Sequence, residues 1–272
     1  MINYIIFNLM QKFSLVTGAA GLLGIHHAEA LIELDLNVIL IDINKNKLKR
    51  VYNLIKKNYP KANVYMDVMN VCSPKSINTL IKKLEEKKII VNNLINNAAI
   101  DAKVNKKNKM SSFENYNLKD WYSEIEVGLT GTMLCSQIFG QKMVKKKIKG
   151  NILNIASDLS VISPNQNIYK IKKNYNYKKP VTYSVIKHGV IGLTKYLSTY
   201  WATKGIKVNA LSPGSVLHQQ PKIILNNLKT LIPMNRLAKK DEYKGAIKFL
   251  CSEASDYMTG QNLIIDGGRS VW

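Results

Sequence analysis

Short β-branched apolar runs alternate along this chain with longer stretches of helical periodicity, and that alternation constrains its fold more than any other feature. Residues 13–16, 37–41, 64–66, 93–95, 151–155, 207–211 and 263–265 read as strands. Residues 21–34, 45–58, 74–87, 120–145, 181–203 and 243–251 read as helices; the second carries Leu48, Val51, Leu54 and Ile55 along one face. This order predicts a doubly wound parallel sheet of about seven strands between two helical layers, a three-layer α/β/α architecture. Val38-Ile39-Leu40-Ile41 has the unbroken apolar character of a strand covered on both faces. Ligands of such sheets sit beyond the carboxyl ends of the strands. The residues just after each strand are therefore where chemistry is expected. Two stretches break the rhythm. Residues 164–180 are polar, basic and rich in Tyr and Asn, as in a surface insertion; residues 214–236 have weak periodicity, as in a substrate lid.

The 272 residues are 46% hydrophobic and show no compositional break, which predicts one domain over residues 12–272 behind an N-terminal extension at 1–11. The extension is apolar but has neither a basic start nor a small-residue cleavage site. No apolar run approaches the ~20 residues of a membrane span. Lys and Arg number 40 against 18 Asp and Glu, a net charge of +22. Such an excess can mark a nucleic-acid binder. Here nearly all the cations are Lys, spread over outer helix faces at Lys45, Lys47, Lys49, Lys56 and Lys57, whereas readers of phosphates and bases also lean on Arg. A global compositional bias accounts for the charge better. No nucleic-acid or membrane partner is expected, and the positive surface would attract anionic small molecules. Cys72, Cys135 and Cys251 have no metal-ligand spacing and no CxxC, which suits a reducing, cytoplasmic setting. His26, His27 and His188 lie on helices without metal partners and read as structural, so no metal is expected.

Thr17-Gly18-Ala19-Ala20-Gly21-Leu22-Leu23-Gly24 follows the first strand and opens a helix. Glycines there permit a tight turn and close approach of the backbone to a pyrophosphate, and a helix N-terminus offers free N–H groups. Gly18, Gly21, Leu23 and Gly24 are thus candidate cofactor contacts; an ordinary tight turn is the competing reading. Asp42 ends the second strand, 24 positions after Gly18. A carboxylate there accepts both hydroxyls of an adenosine ribose and repels a 2′-phosphate, which favours NAD(H) over NADP(H). A capping role for Asp42 is the alternative, and nearby Lys45 and Lys47 keep NADP(H) open.

Tyr183-Ser184-Val185-Ile186-Lys187 sets a phenol and an amine four residues apart, on one helix face. A free tyrosine, with pKa near 10, is a poor base at neutral pH. An ammonium about 4 Å away, at an effective dielectric of about 20, favours the phenolate by roughly 4 kcal/mol. That is about three pKa units, enough to bring the phenol near 7. A lone pair at this spacing is commonly just a solvated face, and its value lies in its surroundings. Ser157, just past the fifth strand, offers a hydroxyl to a reacting oxygen; capping a loop is its alternative role.

Together these residues resemble the short-chain dehydrogenase/reductase family in its compact, single-domain Rossmann-type branch. The resemblance runs from about residue 12 to 272 and adds Asp67-Val68, Asn96-Asn97-Ala98-Ala99, Asn209-Ala210-Leu211-Ser212-Pro213-Gly214, Met258-Thr259-Gly260 and Asp266-Gly267-Gly268. It implies Tyr183 as general acid/base, Lys187 as its activator and holder of the nicotinamide ribose, and Ser157 as the group orienting the substrate oxygen. It implies Asp67 and Val68 at the adenine, Asn97 and Ala98 beside the cofactor, and Pro213 and Gly214 flanking the nicotinamide. Hydride would pass between a substrate carbon and nicotinamide C4.

Three departures stand out. Leu22 occupies a usual glycine position, with Gly21 one place earlier. Gly128, in Gly128-Leu129-Thr130-Gly131, aligns with the family's catalytic Asn and has no side chain to hold a relay water. Ser157 and Tyr183 are 26 positions apart, about twice the common gap, which puts the 164–180 insertion beside the substrate. A narrower match, through His27-Ala28-Glu29-Ala30-Leu31, Gly128–Gly131, residues 181–194 and residues 232–272, is similar to bacterial oxidoreductases of flagellin modification and legionaminic-acid-type pathways. It implies an amino-sugar or sugar-phosphate substrate in surface-glycan biosynthesis. Asp101, Asp158 and Gln219, with His218 and Gln220, are the candidate substrate contacts, or else solvated loop residues. The alternatives are a 3-oxoacyl-carrier-protein-type reductase and a non-catalytic NAD-binding protein of the same fold. Family habit further implies a homodimer or homotetramer through the two long helices.

Overall fold

The structure is a computed structural model that describes residues 10–100, 112–172, 175–176 and 178–272. Seven strands form one parallel sheet: β1 (Gln11–Thr17), β2 (Asn37–Asp42), β3 (Val64–Val68), β4 (Ile89–Asn96), β5 (Gly150–Ile155), β8 (Ile206–Pro213) and β9 (Asn262–Ile265). Their order is β3-β2-β1-β4-β5-β8-β9. The order reverses between β1 and β4, so the crevice beyond their carboxyl ends is the place for a ligand.

Alternation within the strands serves two cores. Phe13, Leu15, Ile39 and Ile41 face one side, under α3 (Pro74–Glu86), α5 (Gly131–Lys145) and α6 (Val181–Trp201). Val16, Val38, Leu40 and Leu211 face the other, under α1 (Gly24–Ile32), α2 (Lys45–Asn58) and α8 (Lys244–Leu250). Both surfaces are apolar because both are covered, which is why these strands carry no polar alternation. The helix starts follow from caps: Asn44 Oδ1 accepts from Lys47 N at 3.0 Å, and Ser73 Oγ accepts from Ser76 N at 3.2 Å ahead of Pro74. Caps of this kind stabilise by about 1 kcal/mol each.

A buried polar ladder ties the middle of the sheet to the helices. Asn96 Nδ2 donates to Ser136 Oγ and Asn154 Oδ1, both at 2.9 Å, and Asn154 Nδ2 donates to Thr194 Oγ1 at 2.9 Å. It fixes α5 and α6 over the ends of β4 and β5.

The irregular stretches are more structured than their composition predicts. The expected helix over 120–145 is two helices, α4 (Leu118–Ile125) and α5, joined by a π-helical turn at Glu126–Thr130. The insertion holds a 3-10 turn at Gln166–Tyr169 and a small hairpin of β6 (Lys170–Lys172) and β7 (Tyr175–Asn176). The lid contains α7 (Lys222–Lys229), whose Ile224 and Leu228 pack with Ile168, Ile232 and Leu237. Asn227 Nδ2 donates to Ile168 O at 3.0 Å, which ties this stretch to the insertion. Among the described residues no helix is long and apolar enough to cross a membrane.

Candidate active site

The glycine-rich turn is closed by sterics. Gly18 has φ +61°, and a Cβ on it would lie 2.8 Å from Ala98 Cα. A Cβ on Gly24 would lie 2.3 Å from Gly18 O, so only glycine lets α1 start against its own turn. Gly21 is less constrained, its added Cβ meeting Gly18 O at 3.1 Å, and Leu22 points outward at 37% exposure. The substitution of Leu for glycine at 22 thus leaves the turn's closure to Gly18 and Gly24. Leu23 is the residue preceding α1. Asn97 Nδ2 donates to Thr17 O at 3.1 Å and Gly18 O at 3.0 Å, while Thr17 Oγ1 accepts from Asn97 N at 3.0 Å and Ala98 N at 3.1 Å. The ends of β1 and β4 are therefore locked around the turn.

Asp42 performs the capping role left open above: its carboxylate accepts from Ala20 N at 3.1 Å and Asn44 N at 2.9 Å. This leaves further lone pairs at the end of β2, on the rim of the turn. Asp67 accepts from Val68 N at 2.8 Å and pairs with Lys83 at 2.7 Å, which holds the rim at β3. On the far flank, Pro213 ends β8, and a Cβ on Gly214 would lie 2.6 Å from Asp266 Cα.

His27 lies on α1 and is 1% exposed. Burial, with a smaller push from neighbouring His26, lowers its pKa from 6.5 to about 3; the Asn97 amide offsets only part of this. Neither ring nitrogen has a hydrogen-bond partner among the described residues, which keeps the ring neutral. Because the folded value is the lower one, this contribution to stability is full above pH 6.5 and is lost as pH falls toward 3. Between pH 6.5 and 4.5 the loss amounts to about 2–3 kcal/mol. Urea denaturation at those two pH values should show this fall, and His27→Leu should flatten it; an unchanged slope in the variant would contradict the assignment.

Lys187 reaches the end of β5 near Ser157, with the Tyr183 ring beside it on α6. Lys187, 8% exposed on α6, donates from Nζ to Ile155 O at 2.8 Å, two residues before Ser157. The same Nζ stands 5.8 Å from the centroid of the Tyr183 ring. A second ammonium, Lys179 Nζ, lies over that ring at 3.8 Å, a contact the sequence reading missed. Burial raises the pKa of Tyr169, from the insertion, and the charges of Lys179 and Arg269 oppose that rise. Thr182, next to Tyr183 and fully buried, is tied to Glu124 and, at 2.9 Å, to Tyr116, which fixes the start of α6.

The π turn explains the missing Asn. A Cβ on Gly128 would sit 2.8 Å from Ile186 Cγ2, and Gly189 on α6 meets Leu129 in the same way. The Ile186 side chain fills the space that a side chain at 128 would need. Lys187 is anchored instead on a strand carbonyl, and Thr132 Oγ1 occupies Gly128 O at 2.9 Å.

The expected substrate contacts fare differently. Asp101 lies outside the described residues. Gln219 and His218 are exposed on the lid, and Gln220 is tied into its own loop through Val216 O at 2.7 Å. Asp158 does not offer itself to a sugar: it is 3% exposed and pairs with Arg269 at 2.8 Å. Arg269 was not anticipated, since nothing local marks a residue near the C-terminus as reaching this crevice. No group of three or more potential metal ligands occurs among the described residues.

A family model described as enoyl-(acyl carrier protein) reductase matches residues 18–270. A 3-oxoacyl-(acyl-carrier-protein) reductase of Aquifex aeolicus is 31% identical over 264 residues, 96% of this chain and 98% of the relative. An NAD-dependent glycerol dehydrogenase of Listeria innocua is 30% identical over 97% of this chain and 96% of its own. A post-translational flagellin modification protein A of Campylobacter coli is 27% identical over 96% of this chain and 98% of its own. A short-chain dehydrogenase of Leptospira borgpetersenii with bound NAD+ superposes with a TM-score of 0.83 at 29% identity, covering 96% of this chain and 94% of that one. A gluconate 5-dehydrogenase of Burkholderia cenocepacia in complex with NADP and tartrate gives 0.83 at 25% identity, covering 98% of each.

Proposed function

Because the chain belongs to the short-chain dehydrogenase/reductase family, we propose that it moves hydride between NAD(H) and a hydroxyl-bearing carbon of an amino-sugar or sugar-phosphate. It is an NAD(P)-dependent oxidoreductase of CH–OH and C=O groups. The observation that carries the reading is Lys187 bonded at the end of β5 beside Ser157, with the Tyr183 ring 5.8 Å from its ammonium.

The residues present fit a dinucleotide. The turn around Gly18 and Gly24 is too tight for side chains at those positions, and the backbone N–H groups at the start of α1 would receive the pyrophosphate. Asp42 would accept from the adenosine ribose, Asp67 and Val68 would border the adenine, and Lys187 would hold the nicotinamide ribose. Bound nicotinamide supplies or accepts the hydride. Tyr183 gives the proton to the substrate oxygen in reduction and takes it in oxidation. The Lys187 and Lys179 ammonium groups favour the phenolate between those events. Ser157 positions the substrate, and the lid and insertion exclude water.

NAD(H) preference follows from Asp42. Asp42→Ser should lower kcat/KM with NADH at least about tenfold relative to NADPH, since the carboxylate that repels a 2′-phosphate is gone. Unchanged cofactor preference would place Asp42 in a purely structural role. The polar, basic insertion and the flagellin-modification relative favour sugars. The 3-oxoacyl-(acyl-carrier-protein) reductase relative favours a second reading, a 3-oxoacyl-carrier-protein-type reductase. Nicotinamide absorbance with purified protein, a panel of amino-sugar and sugar-phosphate substrates, and a 3-oxoacyl thioester decides between them. Turnover confined to the thioester would overturn the sugar reading. The same proposal includes a homodimer or homotetramer, checked by mass in solution.

A further inference from the structure

Tyr183 has a lysine four residues to either side of it in the chain, and the two reach its ring by different routes. Lys187 follows on α6; its Nζ is bonded to Ile155 O at 2.8 Å and stands 5.8 Å from the ring centroid. Lys179 comes before the helix. Pro180, at φ −55° and ψ 142°, is the N-cap of α6 and leaves Lys179 outside it. The Lys179 side chain therefore comes from the insertion, with Nζ over the ring at 3.8 Å from the centroid.

The Lys179 backbone is held by a single side chain. Gln166 Oε1 accepts from Lys179 N at 2.9 Å, and Gln166 Nε2 donates to Lys179 O at 3.3 Å. One amide thus brackets both backbone groups and closes the neck of the insertion. Gln166 opens the 3-10 turn Gln166–Tyr169, and Ile168 seats that turn, 5% exposed among Ile224 and Leu228 of α7. We propose that the insertion is an activating arm of the active site, in which Gln166 is a positioning residue that holds the Lys179 ammonium over the Tyr183 phenol. A cation over an aromatic face is attracted by the ring's negative face. Loss of the hydroxyl proton adds a full negative charge to that ring, so the attraction grows and the proton leaves more readily. The same sign acts on Tyr169: burial raises its pKa, and the charge of Lys179 is the largest influence opposing that rise. The other charged or titratable groups on the elements about Tyr183 are Lys187 on its own helix, Tyr169, the Asp158–Arg269 pair past β5, and Glu124 and Tyr116, bonded to Thr182. The pair's opposite charges lie 2.8 Å apart and largely cancel at a distance. This inference rests on Tyr183 as the proton-transfer group of the oxidoreductase reading above and names what tunes it.

The test titrates the phenol itself and needs no substrate. Full-length protein carrying 13C at tyrosine Cζ is titrated by NMR, and the Tyr183 signal is the one lost in Tyr183→Phe. Lys179→Met is expected to move the Tyr183 midpoint up by about one pH unit, the effect of one partly solvated ammonium. Gln166→Ala removes neither the ring nor the ammonium, yet should move the midpoint up by about half a unit or more. The double variant Gln166→Ala/Lys179→Met should shift no further than Lys179→Met. Lys179→Arg keeps a cation over the ring and should stay within about 0.3 unit of wild type. A Lys179→Met midpoint within about 0.3 unit of wild type overturns the proposal. So does a Gln166→Ala shift that adds in full to that of Lys179→Met. Where wild-type protein turns over a substrate of the panel above, the pH limb of kcat/KM should move in the same direction in Lys179→Met and Gln166→Ala. A raised KM with an unmoved limb would give Lys179 to the substrate and overturn the proposal. Wild-type protein inert toward the whole panel would sink the oxidoreductase reading, while a shifted midpoint would still uphold the hold of Gln166 and Lys179 on the phenol.

Discussion

Replacing Tyr183 by Phe should lower kcat by roughly a thousandfold or more while leaving the affinity for NADH within about threefold. General acid–base groups contribute about 10²–10⁴-fold, and the Tyr183 ring stands near both the Lys179 and the Lys187 ammonium. The ring itself stays, so its packing and the cation-π contact with Lys179 persist. Stopped-flow turnover and NADH fluorescence titration separate the two effects. Lys187→Met should behave differently, losing turnover and NADH affinity together, because the same ammonium is assigned both to the phenol and to the nicotinamide ribose. A Tyr183→Phe protein that keeps a tenth of its activity would remove the proton-transfer assignment.

Arg269→Met carries the largest expected effect on stability. It leaves the Asp158 carboxylate buried at 3% exposure with its guanidinium gone. Breaking one side of a buried pair costs about 3–5 kcal/mol, whereas replacing both partners with apolar groups is often near neutral. For a chain of this size the single variant should melt about 6–20 °C lower, at about 2–4 °C per kcal/mol. The double variant Asp158→Leu/Arg269→Met should recover most of the loss. Calorimetry on the three proteins checks this. A single variant within about 1 kcal/mol of wild type would mean the crevice hydrates freely and the pair is not closed off as described.

The sheet was legible because its signals are local. Phe13, Leu15, Ile39 and Ile41 alternate with Val16, Val38 and Leu40 over a few residues each, and those residues also set the two cores. The glycine-rich pattern alone does not mark where α1 begins: Gly21 and Leu22 belong to the turn, and the helix starts at Gly24, where a side chain would collide with Gly18 O. The π turn escaped notice because periodicity continues through it. Its cause, the close approach of Gly128 to Ile186, pairs residues on different helices. Asp158 was recognised as part of the site but given to the substrate, since its partner lies 111 residues away in a glycine-rich tail. Lys179 sits in an insertion whose composition reads as solvated, yet its charge lies over the Tyr183 ring. Single residues are thus readable where a strand end positions them, and hidden where a residue 111 positions away completes the contact, as Arg269 does for Asp158.

A crystal structure of the NADH complex tests the central assignment most directly. The account predicts Lys187 Nζ within hydrogen-bonding distance of the nicotinamide ribose, and the hydroxyls of Ser157 and Tyr183 on either side of one point above the reactive ring carbon. A nicotinamide seated away from the end of β5, or a Tyr183 hydroxyl directed out of that crevice, would contradict it.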